Sequence, residues 1–221
     1  ALATSVNLDS SKLISSLLSK DQGTVYASTG SNYGIIENQV CTEETPLNPI
    51  SLYGKTKTEA ENIFLNENSA VAYRFATAFG ISPRMRLDLL INDFVYKAVN
   101  DKTLVMFEKT FKRTFIHVDD MARSILYAIE NYDKMNGNTY NVGGDINNFS
   151  KEEIALMIKD KVDFYLHFAE FGEDEDKRNY EVSYNKINSA GFFLEKTVED
   201  GINELIQAVP ALDNRSKYKN V

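Results

Sequence analysis

Apolar residues recur at helical spacing from Ser5 to Lys20, where Val6, Leu13, Ile14, Leu17 and Leu18 alternate with Ser, Lys and Asp. This predicts an amphipathic helix packed beside the apolar run Thr24 to Ser28, which reads as a strand. Gly30 to Asn48 is polar and broken by Gly34 and Thr45-Pro46, so a loop is expected. The helical period returns over Ser51 to Asn66, with Ala60, Ile63 and Phe64 turned inward, and Val71 to Phe75 reads as a short buried strand. Beyond Phe79, the breaker Ser82-Pro83 precedes Leu87, Ile91, Phe94, Val95, Ala98 and Val99, a second amphipathic helix. Strands over Thr103 to Phe107 and Arg113 to Val118 meet at the basic pair Lys112-Arg113. Asp119 is a candidate cap for a helix to Asn131 whose apolar side is Met121, Ile125, Leu126 and Ile129. Asn136-Gly137 turns into a strand, Thr139 to Val142, and Ser150-Lys151-Glu152-Glu153 has the form of a capping box. Asp163 to Ala169 alternates as a half-buried strand, and helices near Tyr184 to Ser189 and Val198 to Ala208 complete the pattern.

Strands alternating with helices argue for an α/β fold with a parallel sheet covered on both faces. Open sheets of this kind bind ligands at the carboxyl ends of their strands, where Thr29 and Thr77 fall. Across 221 residues, 43% hydrophobic and 11% aromatic usage is ordinary for a globular chain. The formal charge of −8 argues against a nucleic-acid surface. There is no apolar run of about 18 residues and no signal-like start, so no membrane span is expected and a soluble protein is read. Cys41 is the only cysteine, which points to a reducing, cytoplasmic home and, within a polar loop, to a structural thiol. Two histidines and one cysteine leave little for a metal cluster, and the acidic stretch Glu170 to Asp176 reads as a solvated loop.

The candidate chemistry lies in Leu52-Tyr53-Gly54-Lys55-Thr56-Lys57. Tyr53 and Lys57, four residues apart on a helix, stand on one face. An ammonium beside a phenol favours the phenolate, so Tyr53 is a candidate for proton exchange with a substrate hydroxyl. The Thr29 hydroxyl, at the end of its strand, is placed to align that oxygen. Taken alone the pair reads more readily as a solvated helix face.

The neighbourhood is more specific. Val25-Tyr26-Ala27-Ser28-Thr29, then Asn32-Tyr33-Gly34, then the Tyr53/Lys57 segment are followed by Arg74-Phe75-Ala76-Thr77-Ala78-Phe79-Gly80 and Arg113-Thr114-Phe115-Ile116-His117-Val118-Asp119-Asp120. Tyr140-Asn141-Val142-Gly143-Gly144 and Tyr184-Asn185-Lys186-Ile187 come after. In this order they resemble the extended short-chain dehydrogenase/reductase family, in its branch of NAD-dependent nucleotide-sugar epimerases and dehydratases, from about Val6 to Val209.

The resemblance implies a Rossmann-like parallel sheet with a smaller α+β substrate lobe. Residues 1–82 would be the back half of the NAD-binding domain, and 83–221 mostly the substrate lobe, with strands returning to the sheet. No Gly-x-Gly-x-x-Gly or Gly-x-x-Gly-x-x-Gly occurs. That turn sets a helix amino end against a pyrophosphate, so the chain is expected to lack the front half of the domain. By resemblance Tyr53 is the acid/base and Lys57 binds the nicotinamide ribose of NAD. Thr29 is the catalytic hydroxyl, and Ser28 and Thr77 are at the cofactor, Thr77 where Asn is usual. Arg113 and Arg178 would hold the diphosphate of a nucleotide sugar, and His117 is read as structural. A homodimer through a four-helix contact is implied, built from Ser5 to Lys20 and Ser51 to Asn66. Dehydratases of the branch place acidic residues directly after the catalytic Thr, whereas Gly30 and Ser31 stand here. This favours 4-epimerisation, with 4-keto reduction second and a non-catalytic binding relic as the other class.

Overall fold

The computed structural model describes residues 2–19, 21–36, 39–169 and 181–212. The helices are α1 Leu2–Thr4, α2 Ser10–Leu17, α3 Leu52–Glu67, α4 Leu90–Tyr96, α5 Val118–Glu130, α6 Tyr132–Met135, α7 Lys151–Lys159, α8 Asn185–Ser189 and α9 Val198–Ala208. The strands are β1 Thr24–Thr29, β2 Val40–Cys41, β3 Ala70–Phe75, β4 Thr77–Phe79, β5 Thr103–Met106, β6 Lys112–His117, β7 Thr139–Val142, β8 Asn148–Ser150, β9 Tyr165–Phe168 and β10 Glu181–Val182.

The sheet that carries the site has the order β1-β3-β7, all parallel, with Thr24 opposite Ala70 and Thr29 opposite Phe75. All six residues of β3 are buried, as a central strand covered on both faces requires. Gly137 brings the chain into β7 at φ +74°, a conformation that favours glycine, and its N–H donates to the Ala70 carbonyl at 2.8 Å. A second sheet, β4-β6-β8, begins one residue beyond β3, and β5 with β9 and β2 with β10 form parallel pairs. The α/β expectation with parallel pairing therefore holds except for the antiparallel β6–β8 pair, and among the described residues the strands divide over four small sheets. One apolar cluster surrounds the site sheet through Val71, Tyr73, Phe75 and Val142. Another joins α4, α7 and α9 through Ile91, Phe94, Ile158 and Ile202.

Helix boundaries follow local chemistry. The Ser51 hydroxyl accepts from Gly54 N–H at 3.0 Å to start α3, and Ser150/Glu153 and Thr197/Asp200 close capping boxes on α7 and α9. Three expectations are corrected. The first helix forms, with a π-helical turn at Ser5–Asp9, and packs chiefly on α3, Leu18 at its end meeting the cluster that holds Tyr26 of β1, but with another face inward. Leu8, Ser11 and Ser15 face inward, leaving Val6, Leu13, Ile14 and Leu17 exposed. The physical reason is that small serines let two helices approach closely, with Ser15 Oγ donating to Asn68 Oδ1 at 2.6 Å. On α5 the buried side is Asp120, Ser124 and Ala128, whereas Ile125, Leu126 and Ile129 are exposed. Asp120 turns inward because its carboxylate accepts the Glu195 and Lys196 backbone N–H groups at 2.9 to 3.2 Å. Finally, α5 is capped by His117, whose Nδ1 accepts from Asp119 N–H at 3.2 Å, and not by Asp119. Among the described residues no helix is long and apolar enough to cross a membrane. The acidic stretch Glu170 to Asp176 and Arg178 lie outside the described residues.

Candidate active site

Gly54 sets the geometry. A Cβ there would stand 3.1 Å from the Ser31 carbonyl oxygen and 3.0 Å from the Pro49 ring. The missing side chain lets the first turn of α3 press onto the 3-10 turn Gly30–Asn32 that follows Thr29 without displacing either neighbour. That contact carries Tyr53 to the carboxyl end of β1. Tyr53 is 47% exposed and open to a ligand. Thr29 is buried, accepting from Ser31 N–H at 3.2 Å and donating to Ser31 Oγ at 3.3 Å. Lys57, one turn after Tyr53, is half-buried, with Nζ 4.3 Å from the Tyr26 ring centroid. Burial pulls the Lys57 pKa below its usual value, opposed by the Glu61 charge.

Beneath this surface lies a buried polar hub centred on Glu61, which is 1% exposed. Its Oε1 accepts from Arg74 Nη2 at 2.6 Å and Nε at 3.0 Å. Its Oε2 accepts from the Ser28 hydroxyl and from Asn32 Nδ2 at 3.1 Å. Arg74 Nη1 reaches the Tyr33 hydroxyl at 3.1 Å and the Glu43 carbonyl at 3.2 Å. Tyr33 in turn donates to Asn141 Oδ1 at 2.6 Å. Burial opposes the Arg74 charge, but the Glu61 hydrogen bonds and charge outweigh it and raise the Arg74 pKa. Burial also pushes the Tyr33 phenol up to about 12. The hub thus ties β1, the 3-10 turn, α3, β3 and β7 into one unit under the site.

Ser28, Thr29, Tyr53 and Lys57 are brought together where β1 meets α3. Thr77 is half-buried at the start of β4, and Arg113, 2% exposed, sits on β6 with Nη1 donating to the Lys112 carbonyl at 3.1 Å. Both therefore belong to the neighbouring sheet. His117 is buried, and because Nδ1 accepts, the ring proton is on Nε2, which donates to Glu204 at 3.0 Å. Cys41 is a buried free thiol that burial pushes up to about 11, so it stays protonated. Among the described residues no group of three or more His, Cys, Asp or Glu could hold a metal. Sequence reading missed Glu61, Asn32, Tyr26 and Arg86. Glu61 had a signal, since it extends the Tyr53/Lys57 spacing by another four residues. Arg86 had none: its fork pairs with Asp88 at 2.5 and 3.1 Å. Those Asp88 hydrogen bonds raise the Arg86 pKa against burial, with a further contribution from the Tyr53 phenol.

The profile of the NAD dependent epimerase/dehydratase family matches residues 7–143. The low-salt glycan biosynthesis protein Agl12 of Haloferax volcanii is 27% identical over 183 residues, covering 79% of this chain and 57% of that protein. The uncharacterized UDP-glucose epimerase YtcB of Bacillus subtilis is 32% identical over 129 residues, covering 56% of this chain and 40% of that protein. The chain thus spans roughly half the length of these relatives. Among solved structures, dTDP-glucose 4,6-dehydratase from Bacillus anthracis with NAD superposes at TM-score 0.79 and 24% identity, covering 94% of this chain and 68% of that one. UDP-glucuronic acid 4-epimerase from Bacillus cereus, in complex with UDP-glucuronic acid and NAD, gives 0.78 at 23%, covering 93% and 67%. These likenesses carry the Rossmann-like fold, and the profile match over more than half of the sequence, in the same region as the Tyr53 cluster, places the chain in the NAD dependent epimerase/dehydratase family.

Proposed function

We propose that the chain is the catalytic part of a nucleotide-sugar 4-epimerase that uses NAD. The observation that carries this reading is the open Tyr53 phenol, set one turn from Lys57 on the helix turn that Gly54 brings against the segment after Thr29. The donor set suits the ribose and nicotinamide end of NAD: an ammonium at Lys57, a hydroxyl at Thr29 and a phenol open to solvent, with Ser28 beneath them tied to Glu61. When bound, NAD supplies the acceptor for a hydride from the sugar C4 and later returns it. Tyr53 takes the C4 hydroxyl proton as that carbon is oxidised and gives it back on reduction, while Thr29 aligns the oxygen and Lys57 favours the phenolate. Thr77 lies toward the cofactor or sugar, and Arg113 and Arg178 suit a diphosphate because a guanidinium fork matches its oxygens.

A 4,6-dehydratase needs another acid/base pair beside the sugar, and neither Gly30 nor Ser31 is a carboxylate. Residues 1–82 form the back half of the cofactor domain in this reading, and 83–221 mostly the sugar lobe. The exposed stripe Val6, Leu13, Ile14 and Leu17, beside α3, supports a two-fold dimer through four helices; a monomeric mass in light scattering at every concentration would refute it. The test of function is NMR analysis of products from the longest product of the coding sequence, given NAD and a panel of nucleotide hexoses. A mixture of C4 epimers without net NADH is expected, and accumulation of a 4-keto-6-deoxy sugar would overturn the reading.

A further inference from the structure

We propose that Tyr26 is a positioning residue for Lys57, its ring face seating the ammonium where β1 and α3 converge. This rests on the role given to Lys57 above. The Lys57 Nζ stands over the Tyr26 ring, 4.3 Å from its centroid. The ring itself is fixed: Tyr26 is 8% exposed, stacks on Phe64 with centroids 4.9 Å apart and planes 30° apart, and packs with Ala60 and Ala70. Phe64 and Ala60 lie on the helix that carries Lys57, so one helix both holds the ring and supplies the cation it holds. Along β1, Tyr26 and Ser28 share the face turned to α3, Tyr26 meeting Phe64 and Ser28 meeting Glu61.

Lysine has four flexible methylene groups, and nothing in its helix position alone decides where its charge rests. Among the described residues the charged and titratable groups acting on the ammonium are Tyr26 from β1 and Glu61 from α3, and Tyr53, also on α3, acts on the Tyr26 phenol. Both Glu61 oxygens already accept from Arg74, Ser28 and Asn32. The negative face of the ring supplies the remaining attraction, and it gains strength where water is excluded, as at this half-buried position. Seated there, the ammonium is kept on the side of α3 that meets the end of β1 and is withheld from solvent until a ligand draws it away.

The test uses the free chain without cofactor or sugar, so a failure of the nucleotide-sugar reading leaves it untouched. Lysines are dimethylated with carbon-13 and followed by NMR, Lys57 being assigned by its loss in Lys57→Arg. The Lys57 methyls are expected upfield of those of the other lysines, because they lie in the ring current of Tyr26. Tyr26→Phe keeps the Lys57 titration midpoint, since a phenyl face also attracts a cation. Tyr26→Leu lowers it by about one pH unit, a tenfold weaker hold on the proton. Lys57 methyls at the shift of solvent-exposed lysines in the unsubstituted chain would overturn the proposal, and that measurement stands even if Tyr26→Leu does not fold. A midpoint unchanged or raised in Tyr26→Leu, or lowered as far in Tyr26→Phe, would overturn it equally.

Discussion

Glu61→Gln tests the hub under the site by changing one oxygen to an amide nitrogen. The substitution keeps shape, so no cavity is created and the loss is electrostatic. Every partner of the Glu61 carboxylate donates: Arg74 Nε and Nη2 to Oε1, the Ser28 hydroxyl and Asn32 Nδ2 to Oε2. A glutamine has only one acceptor atom. If its oxygen stays with Arg74, its NH2 faces Asn32 Nδ2, two donors in contact; if it turns, the NH2 faces a guanidinium. Ser28 can rotate its hydroxyl to accept and Asn32 can flip its amide to present Oδ1, but Arg74 can only donate. Arg74, 6% exposed, is then left to the neutral Tyr33 hydroxyl and Glu43 carbonyl. Breaking a buried pair from one side costs about 3 to 5 kcal/mol. With a urea m-value of roughly 2 to 3 kcal/mol/M for a chain of this size, the unfolding midpoint should fall by about 1 to 2 M. Circular dichroism of the 221-residue chain reads this directly. Replacing both charges, as Glu61→Leu with Arg74→Met, should recover much of the loss, because neither ion is then left buried alone. A midpoint within about 0.3 M of the unsubstituted chain for Glu61→Gln, or a double variant as unstable as the sum of its singles, would refute the reasoning.

Tyr53→Phe should abolish epimerisation while leaving cofactor affinity nearly intact, since only the transferable proton is removed; near-normal turnover would remove Tyr53 from the mechanism. Gly54→Ala should show none of the roughly 1 kcal/mol that alanine normally adds in a helix, because its Cβ meets the Ser31 carbonyl at 3.1 Å; a full gain in urea stability would mean the approach is not tight. The capping carboxylates Glu153 and Asp200 are held below their ordinary pKa values, first by the backbone N–H of Ser150 and by the hydroxyl of Thr197, respectively. A depressed folded pKa means stability present above the unfolded pKa and lost as pH falls through the folded one. Urea midpoints should therefore drop on acidification below the usual carboxylate range, and Glu153→Gln with Asp200→Asn should flatten that slope.

The sequence alone determined whatever depends on near neighbours along the chain. The 3.6-residue period located α3 and α4, the capping box at Ser150 and the Asn136-Gly137 turn were legible as local hydrogen-bonding and φ requirements, and Tyr53 and Lys57 fell on one face by spacing. The alternation of strands with helices then set the parallel pairing that periodicity leaves open. Tertiary structure decided which face of a helix is covered. The apolar stripe of the first helix and that of α5 both turned outward, because Ser11 and Ser15 allow a close helix contact and Asp120 finds backbone donors at Glu195 and Lys196. It also decided the partner of each buried charge. Arg74 stood in a recognisable motif, but its partner lies 13 residues away, and the hub joins segments as far apart as Tyr33 and Asn141. Hydrophobic period and capping are properties of consecutive residues, whereas desolvation, ion pairing and the Tyr26 seat for Lys57 depend on atoms that meet only after the chain has folded.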